Sequence, residues 1–427
     1  GNNIKCQPYG FRMPSSEQGI VDVVLEAKEL GQQLKVVGAG HSFSNVHCTD
    51  GILVSLDNYT RLVSVNTERM QATFQAGIRI RDMHPLLEAH GLALRNTGST
   101  HDITLAGAVS TGTHGSTRHD GILAQQVVEM KIIDGRGEPR RANDNEDPEL
   151  YDAARVGLGL VGVISTITVQ CVPSFNVEKV ESELMPVEQV LEEAMDRFEK
   201  NDYLFWYWLP HTNLAKFVSL NKVDRPIAED SWTKFSKWVK KETIHVLDFL
   251  TATEAALPRL TGPVHRLMSG WIGPSNFTFK SYEALADHSL PGISFDMEYF
   301  VPRDSCHKAF ESVKAFFDER GFIPLNTVVT VRYVQKDDIP MSPAHSVDTC
   351  AIGLTLNRMT PFKWLEGSIH DLFIPFKARP HWGKMHKYEA GEIVDLFPGL
   401  EEFKATVKEV DPNGMFINDF ATDLLGL

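Results

Sequence analysis

The chain has 427 residues, which is too long for a single hydrophobic core, so two domains are expected. Hydrophobic residues make up 42% of it, which indicates a packed globular protein rather than a disordered one. The formal net charge of −14 argues against a surface for nucleic acid or anionic membrane, and no uncharged apolar run approaches the length of a bilayer span.

The first residues predict a helix followed by a strand. Ser16 before Glu17 is a typical helix start, apolar residues recur at helical spacing over 20–27, and Gly31 is a suitable C-cap. Residues 35–37 then read as a short strand. Small units of helix and strand continue beyond it, so the N-terminal part is predicted to be α+β.

The strand leads into a glycine-rich turn at residues 38–44. Gly38 and Gly40 let the backbone turn tightly and approach a ligand closely. Their amides, with the Ser42 hydroxyl, can hold phosphate oxygens. A phosphate loop gains nothing from the imidazole of His41, so that ring is better explained by a bond to something bound nearby.

Three alternatives for this turn stay open. An ordinary dinucleotide fingerprint would need a third glycine and a following helix, and both are missing. A structural turn with a satisfied histidine is compatible with this stretch alone. A metal site would need more ligands than His41 and His47 supply.

A second distinctive stretch, residues 96–116, is poor in charge and rich in Gly, Ser and Thr. A flexible linker would not carry the apolar residues that lie between the small ones. A long ordered loop of small residues is more typical of a wall against a large, flat ligand. His101 and His114 within it could each be core histidines.

A third small-residue turn occupies residues 157–164 and runs into a strand at 165–172, which Pro173 closes. All three candidate ligand loops thus precede residue 173. We therefore expect one domain over 1–173 and a second over 174–427.

The second half predicts a sheet with helices on one face. Its helices are predicted at 186–200 and 306–320, and its strands at 203–209, 296–300, 327–334 and 351–356. Residues 233–272 predict a helical pair on the core, because acids interrupt their apolar positions. The segment from 378 to 427 is expected to pack back onto the first domain. Within it, Lys384 beside Trp382 resembles a snorkelling surface residue when taken alone.

The cysteines predict reduced thiols. They number five, are scattered and form no CxxC pair: Cys6, Cys48, Cys171, Cys306 and Cys350. An odd count without such a pair suggests a reducing compartment, so a soluble, cytoplasmic protein is expected. The chain opens with glycine rather than methionine, so we expect a processed end whose targeting segment would be invisible.

Taken together, these stretches resemble the aldonolactone oxidoreductases of the vanillyl-alcohol-oxidase flavoprotein superfamily. The resemblance covers nearly the whole chain, and order and spacing carry it more than any single motif. Its motifs are the turn at 38–42, CTDG at 48–51, the segment 84–94, STGTHG at 110–115, AAR at 153–155 with GLGLVGVI at 157–164, WLPHT at 208–212 and HWGK at 381–384. It implies an α+β protein with an N-terminal PCMH-type FAD-binding domain and a cap domain whose antiparallel sheet is covered by helices.

The resemblance implies FAD as cofactor, attached covalently through its 8α-methyl carbon to His41. That attachment would explain an imidazole within a pyrophosphate turn. The pyrophosphate would be held by Val36, Val37, Gly38, Ala39, Gly40 and Ser42. The flavin and ribityl chain would be lined by Gly98, Ser99, Thr104, Gly107, Thr111, Gly112, Thr113 and His114, and the nucleotide half would contact Ile164.

The resemblance also places a substrate pocket over the flavin, formed by Ser99, Arg332, Thr355 and Lys384. Fixed positive charge from Arg332 and Lys384 would stabilise the negative charge that develops on a flavin receiving a hydride. The hydroxyls of Ser99 and Thr355 can bond a polyol. The implied reaction is oxidation of a sugar 1,4-lactone of the L-gulono or L-galactono type. No metal, nucleic acid or stable membrane insertion is implied.

Two departures from the family pattern bear on function. The family commonly has a glutamate two residues before the arginine, and Thr330 stands there. An acceptor for a substrate hydroxyl is then missing, so an alditol or aldose oxidase, or a flavin-binding module with weak turnover, remain alternatives. The membrane-bound relatives are apolar over 233–272, whereas charges interrupt this chain there, which favours a soluble protein.

Gly98 bears on the electron acceptor. In the family this position lies against the flavin edge where oxygen reacts, and related dehydrogenases have a methyl group there. A glycine leaves the smallest obstruction, so the resemblance implies an oxidase that releases hydrogen peroxide. Gly98 could equally be required by a positive φ in the turn at 96–99.

Overall fold

A computed structural model describes residues 4–227, 257–269, 273–285, 294–320, 325–357 and 362–427. Within these ranges the strands, in chain order, are β1 Gly10–Arg12, β2 Leu34–Val37, β3 Ile52–Ser55, β4 Leu62–Asn66, β5 Gln71–Gln75, β6 Leu92–Ala93, β7 Val127–Ile133, β8 Pro139–Ala142, β9 Val163–Gln170, β10 Val172–Pro173, β11 Asn176–Glu181, β12 Met185–Pro186, β13 Tyr203–Leu209, β14 Leu214–Val223, β15 Ser275–Lys280, β16 Ser294–Pro302, β17 Leu325–Val334, β18 Thr349–Asn357 and β19 Arg379–Pro380. The helices are α1 Glu17–Leu30, α2 Ile80–Glu88, α3 Leu105–Ser110, α4 Pro148–Ala154, α5 Val187–Lys200, α6 Thr261–Ser269, α7 Ser281–Leu285, α8 Cys306–Arg320, α9 Phe362–Phe373, α10 Ala390–Leu396, α11 Leu400–Val410 and α12 Asp419–Leu425.

Three small sheets come from the first part of the chain. Strands β1, β3 and β2 form a parallel sheet in that order, β4, β5, β9, β7 and β8 form an antiparallel one, and β6 and β10 form an antiparallel pair. Helix α1 begins where the Ser16 hydroxyl accepts a bond from the Gly19 amide. It ends at Gly31, whose φ of 62° is the left-handed conformation that glycine adopts without strain.

A large antiparallel sheet comes from the second part of the chain. Its order is β15, β11, β14, β13, β17, β18, β16 and β19, with β12 paired to β14. Helices α5 and α8 pack on it, and Trp206 and Trp208 of β13 meet the ring of Phe310 edge to face. The α+β prediction and the antiparallel sheet covered by helices are confirmed. Most of the predicted helical pair at 233–272 lies outside the described residues, which there include only α6 and its flanks.

The prediction of reduced thiols is wrong for four of the five cysteines. Cys6 is bonded to Cys48 and Cys306 to Cys350, with Cα separations of 5.3 and 6.0 Å. The partners lie 42 and 44 residues apart, so the fold brings them together where sequence spacing gave no sign. Cys171 is a buried free thiol, and burial raises its pKa to about 12. Disulfides persist in oxidising environments, so the basis for expecting a cytoplasmic location is lost.

Among the described helices, none combines the length and apolar character needed to cross a bilayer.

The C-terminal segment lies against the first residues of the chain. The Leu34 amide donates to the Met415 carbonyl, and the Phe43 amide donates to the Gly383 carbonyl. The Asn418 side chain donates to the carbonyl of Cys48 at 2.8 Å. This packing carries the HWGK motif to the glycine-rich turn, although some 340 residues separate them in sequence.

Lys35 joins the same two parts of the chain from inside the protein. Its ammonium, on a residue only 1% exposed, donates to the carbonyls of Leu158, Gly159 and Phe416 at 3.0–3.2 Å. Three N–H groups therefore meet three carbonyl oxygens. Burial lowers the pKa of Lys35 from 10.5 to about 7, and the charge of Asp411 opposes that shift.

Replacing Lys35 by methionine should lower the free energy of unfolding by roughly 2–5 kcal/mol, since each orphaned buried carbonyl costs about 1–3 kcal/mol and the lost burial of an amine offsets part of the sum. The folded pKa of about 7 lies below 10.5, so the unfolded chain binds more protons between these values. The deficit of the variant should therefore widen as pH rises from 7 to 9. Denaturant titrations at both pH values measure it, with Lys28→Met on the exposed end of α1 as the control. A deficit independent of pH would contradict this account of Lys35.

Candidate active site

A cavity of about 1020 Å³ lies between the glycine-rich loops and the large sheet. The turn at 38–42, most of the stretch at 98–114 and the turn at 157–164 line it. Residues of β16, of β17 and of the segment 381–384 line it as well. The loops that the sequence singled out one by one thus share a single cavity.

Most of the predicted site residues line this cavity. They are Val36, Val37, Gly38, Ala39, Gly40, His41, Ser42, Gly98, Ser99, Thr104, Gly107, Thr111, Thr113, His114, Ile164, Arg332 and Lys384. Gly112 and Thr355 are not among its lining residues. A Cβ on Gly112 would instead lie 3.3 Å from Pro343, and Thr355 is paired across strands with Asp296, which does line the cavity.

Two glycines of this wall, Gly38 and Gly107, cannot be replaced without displacing the Thr104 hydroxyl. A Cβ on Gly38 would lie 2.5 Å from the Thr104 hydroxyl oxygen, and one on Gly107 would lie 2.9 Å from it. Thr104 is held there because its hydroxyl caps α3 by accepting from the Gly107 amide. Gly40 has a φ of 71°, which favours glycine. An elongated cavity walled by glycine backbone fits a dinucleotide such as FAD.

His41 lies on the cavity wall with its side chain accessible from the cavity. Burial within the cleft lowers the pKa of His41, and the nearby carboxylate of Asp102 opposes that shift. Its imidazole is therefore held mainly in the neutral form at neutral pH. A neutral ring nitrogen has the lone pair that bond formation to a ligand carbon requires.

A chain of polar and charged groups joins β16 and β17 to the stretch at 98–114. Arg332 donates to the Ser99 hydroxyl at 3.4 Å and lies 3.7 Å from Oε1 of Glu298. Nε2 of His114 lies 3.3 Å from the same oxygen. Burial would raise the pKa of Glu298, but His114 and Arg332 together hold it well below its ordinary value. Glu298 is thus a buried, ionised carboxylate.

His114 lies between two hydrogen-bond acceptors. Nδ1 lies 2.9 Å from the Gly115 carbonyl oxygen, and Nε2 faces the ionised Glu298. Two fixed cations, Arg332 and Lys384, lie beside the carboxylates of Glu298 and Asp296 respectively.

His381 completes the cluster. Its Nδ1 accepts the Gly383 amide at 3.0 Å, and burial lowers its pKa to about 3, so the neutral ring carries its proton on the other nitrogen. The ligand atoms of His114, Glu298 and His381 lie within 4.8 Å of one another, close enough to surround a metal ion. Nε2 of His114 already pairs with Glu298 and Nδ1 of His381 already accepts the Gly383 amide, so these three groups are engaged with partners inside the protein.

Glu298 occupies the region where the family pattern places its glutamate. Thr330 is paired with Gly353, and Gly353 is paired in turn with Glu298. Gly353 has no side chain, and a Cβ there would lie 3.5 Å from Oε1 of Glu298. The carboxylate therefore extends over the glycine toward the strand that carries Thr330 and Arg332.

Sequence reasoning missed Asp296 and Glu298 as site residues. The signal available was two acids at alternate positions of a strand whose other residues are apolar, which is unusual for a buried strand. Lys384 donates to Asp296 at 2.7 Å, so the lysine predicted at the site is an ion-paired residue of the cavity wall.

Gly98 does not have a left-handed backbone conformation, so the explanation of this glycine by a positive φ is wrong. A Cβ at this position would lie 2.5 Å from the Thr113 methyl carbon. The requirement for glycine here is therefore one of space against another wall residue.

Comparison with known proteins agrees with this geometry. Residues 167–424 match the D-arabinono-1,4-lactone oxidase family, and residues 8–143 match the FAD binding domain family. The chain is 30% identical to L-gulonolactone oxidase of Mus musculus, over 97% of this chain and 94% of the relative. It is 27% identical to L-gulono-1,4-lactone dehydrogenase of Mycobacterium tuberculosis, over 99% of this chain and 97% of the relative.

Among solved structures, a solvent-stable cholesterol oxidase superposes with a TM-score of 0.79 at 16% identity, covering 98% of this chain and 94% of that one. Cholesterol oxidase from Brevibacterium sterolicum gives 0.78 at 16% identity, covering 97% and 94%. At such identities the likeness shows the fold alone.

Proposed function

We propose, from the premise that this chain belongs to the D-arabinono-1,4-lactone oxidase family and has an FAD-binding domain, that it oxidises a sugar 1,4-lactone of the L-gulono or L-galactono type. The observation that carries the proposal is a single cavity lined both by the glycine loops and by Arg332, Glu298, Asp296 and Lys384. The domain boundary is proposed near residue 173, just before the first strand of the large sheet.

FAD, when bound, supplies the acceptor for a hydride from the carbon that carries the oxidised hydroxyl, and dioxygen then takes the two electrons and two protons to give hydrogen peroxide. The charged residues of the cavity prepare the site for that transfer. The fixed positive charges of Arg332 and Lys384 favour the negative charge that develops as hydride arrives. Ser99, bonded to Arg332, offers its hydroxyl to the substrate.

Ion pairs fix these groups before the substrate binds. Arg332 is held between Ser99 and Glu298, and Glu298 is held by His114. Donors placed in advance do not have to reorganise when the charge develops, which is the source of their effect on rate.

Anaerobic mixing with aldonolactones tests the proposal. L-gulono-1,4-lactone or L-galactono-1,4-lactone should bleach the flavin absorbance within the turnover time. Bleaching by alditols such as xylitol, but not by lactones, would make the protein an alditol oxidase. A flavin that no member of either class reduces would favour the flavin-binding module. That alternative rests on the absence of a glutamate at position 330, and Glu298 supplies a carboxylate near this part of the sheet.

The proposal includes covalent attachment of FAD to His41, supported by the position of this neutral imidazole on the cavity wall. Acid precipitation of the holoprotein should leave its yellow colour in the pellet, and a tryptic peptide containing His41 should carry the mass of FAD. His41→Ala should retain at most dissociable FAD. His47→Ala, six residues along and also on the wall, is the control and should keep the bound colour. Complete release of flavin from the unaltered protein would refute attachment.

A further inference from the structure

The loop at residues 45–48, which follows the glycine-rich turn, carries a histidine and a cysteine side by side. In the sequence, His47 has too few neighbouring ligands to indicate a metal site. The fold supplies them, because it brings Cys6 to Cys48 with a Cα separation of 5.3 Å. The two sulfur atoms and a ring nitrogen of His47 lie within 4.8 Å of one another.

Two sulfurs and an imidazole are a ligand set that zinc prefers. Thiolate and imidazole ligands bind Zn²⁺ tetrahedrally at about 2.0–2.3 Å, which places ligand atoms roughly 3.3–3.8 Å apart. Rotation of the side chains can bring the observed cluster to that spacing. A zinc ion with three protein ligands takes water as the fourth. Water is at hand, because Cys6 and Cys48 line a second cavity of about 890 Å³.

The backbone holds the two cysteines near each other independently of their disulfide. The Tyr9 amide donates to the Asp50 carbonyl at 2.7 Å, just where the pairing of β1 with β3 begins. Cys6 and Cys48 lie three and two residues from this bond along the chain. The Asn418 side chain also holds the Cys48 carbonyl, at 2.8 Å. We therefore expect the two thiols to stay close together after reduction.

A reductant and a metal ion can both reach the pair. The two cysteines are half-buried, and the second cavity that they line is edged by the exposed side chains of Lys5, Asp50 and Asp423. Only Phe43 and Lys384 line both this cavity and that of the candidate active site. The two thiols can therefore be reached without passing through the proposed flavin site.

We propose that Cys6, His47 and Cys48 form a zinc site when the disulfide is reduced. A dithiol supplies two electrons and two protons and itself closes to a disulfide, while the bond between Cys6 and Cys48 opens to two thiols. Zn²⁺ then displaces the two thiol protons and accepts the lone pair of His47. The disulfide and the metal are thus alternative cross-links between the N-terminal segment and the loop at 45–48.

Metal binding by the reduced holoprotein tests the proposal. A water-soluble phosphine, which becomes its oxide with oxygen from water, reduces the protein under argon and is then removed. A count of free thiols shows that both disulfides are open. Co²⁺, added as a coloured substitute for Zn²⁺, should give the intense bands of a tetrahedral thiolate site at wavelengths beyond the flavin absorbance, and Zn²⁺ should displace it. We expect one metal ion per reduced chain and none in the unreduced protein.

The second disulfide is a matched control within the same chain. In the part of the chain that the structure describes, Cys306 and Cys350 belong to no group of three candidate ligands. The double variant Cys306→Ser with Cys350→Ser should therefore bind metal like the unaltered protein, whereas Cys6→Ser with Cys48→Ser should bind none. His47→Ala keeps both disulfides and should weaken Zn²⁺ binding by at least about 100-fold, since even the loss of a partner behind a ligand costs about 10–100-fold.

The melting temperature gives a second measurement that does not depend on turnover. Reduction should lower it, and Zn²⁺ should raise it again in the unaltered protein, because the metal binds the folded state. The rise should be much smaller in His47→Ala. An equal rise in that variant, or a metal ion still bound after both Cys6 and Cys48 are replaced, would overturn the proposal. So would a fully reduced protein that binds neither Co²⁺ nor Zn²⁺.

Discussion

Lys384→Met slows reduction of the bound flavin at saturating lactone by about 10²–10³-fold, the loss expected when one preorganised charged donor is removed from a water-excluded site. The reason is electrostatic. Lys384 is paired with Asp296, so its removal leaves that carboxylate as an unbalanced negative charge on the cavity wall. The cavity then has one positive charge fewer, and hydride transfer adds negative charge to the same cavity. Stopped-flow reduction under anaerobic conditions measures the limiting rate.

The double variant Lys384→Met with Asp296→Asn is the matched control for charge. It restores the net charge of the wall, so it should recover part of the limiting rate lost by Lys384→Met alone, although its lactone Kd stays high. Equal limiting rates in the single and double variants would show that the ammonium acts by contact and not through charge. A normal limiting rate in Lys384→Met would show that this lysine does not contribute to flavin reduction and behaves as an ordinary surface residue.

Gly98→Ala should slow the reaction of the reduced enzyme with oxygen by roughly 10–200-fold, which is the usual effect of one added methyl group in a tight pocket. Absorbance of the oxidised flavin and its reduction by lactone should change little. Mixing anaerobically reduced enzyme with oxygenated buffer in a stopped-flow instrument measures the effect. The unaltered protein should reoxidise quickly and release hydrogen peroxide.

The structure adds a control to this experiment. An alanine at position 98 would press on the Thr113 methyl, only 2.5 Å from the new Cβ, so the single variant also disturbs the wall. Thr113→Ser removes that methyl, and the double variant has the extra Cβ without the clash. If the double variant reoxidises as fast as Thr113→Ser alone, the methyl at position 98 does not obstruct oxygen. Slow reoxidation of the unaltered protein, with rapid turnover on cytochrome c, would identify a dehydrogenase.

The part of the site that the sequence reveals is the part built from local backbone. Gly38, Gly40 and His41 lie within four residues of one another, and their spacing alone indicates a close ligand approach and an unusual ring. Four strands of the large sheet, β13, β16, β17 and β18, follow in the same way from local pattern, whereas β11, β14 and β15 were not predicted. These features depend on residues near in the chain, which a pattern can record.

The part that the sequence conceals depends on register between distant strands. The contact of Glu298 with Arg332 requires that β16, β18 and β17 lie side by side in one alignment, and a slip of one residue would turn Glu298 to the opposite face. The disulfides follow the same rule, because neither pairing can be read from spacing. Gly98 shows the opposite kind of error. The local turn pattern suggested that a positive φ requires glycine there, but the requirement comes from the methyl group of Thr113, which is distant in sequence.

Positions 298, 330 and 353 cannot diverge independently among relatives of this chain. A Cβ introduced at Gly353 would lie in ordinary contact with the Glu298 carboxylate, 3.5 Å from Oε1, so alanine fits there, whereas a bulkier side chain would have to share this space with the carboxylate. A glutamate regained at position 330 would bring a second negative charge beside the first, which costs free energy unless Glu298 becomes neutral. We therefore expect these three positions to covary across an alignment, with each lineage keeping one carboxylate over this part of the sheet and a small residue beneath it.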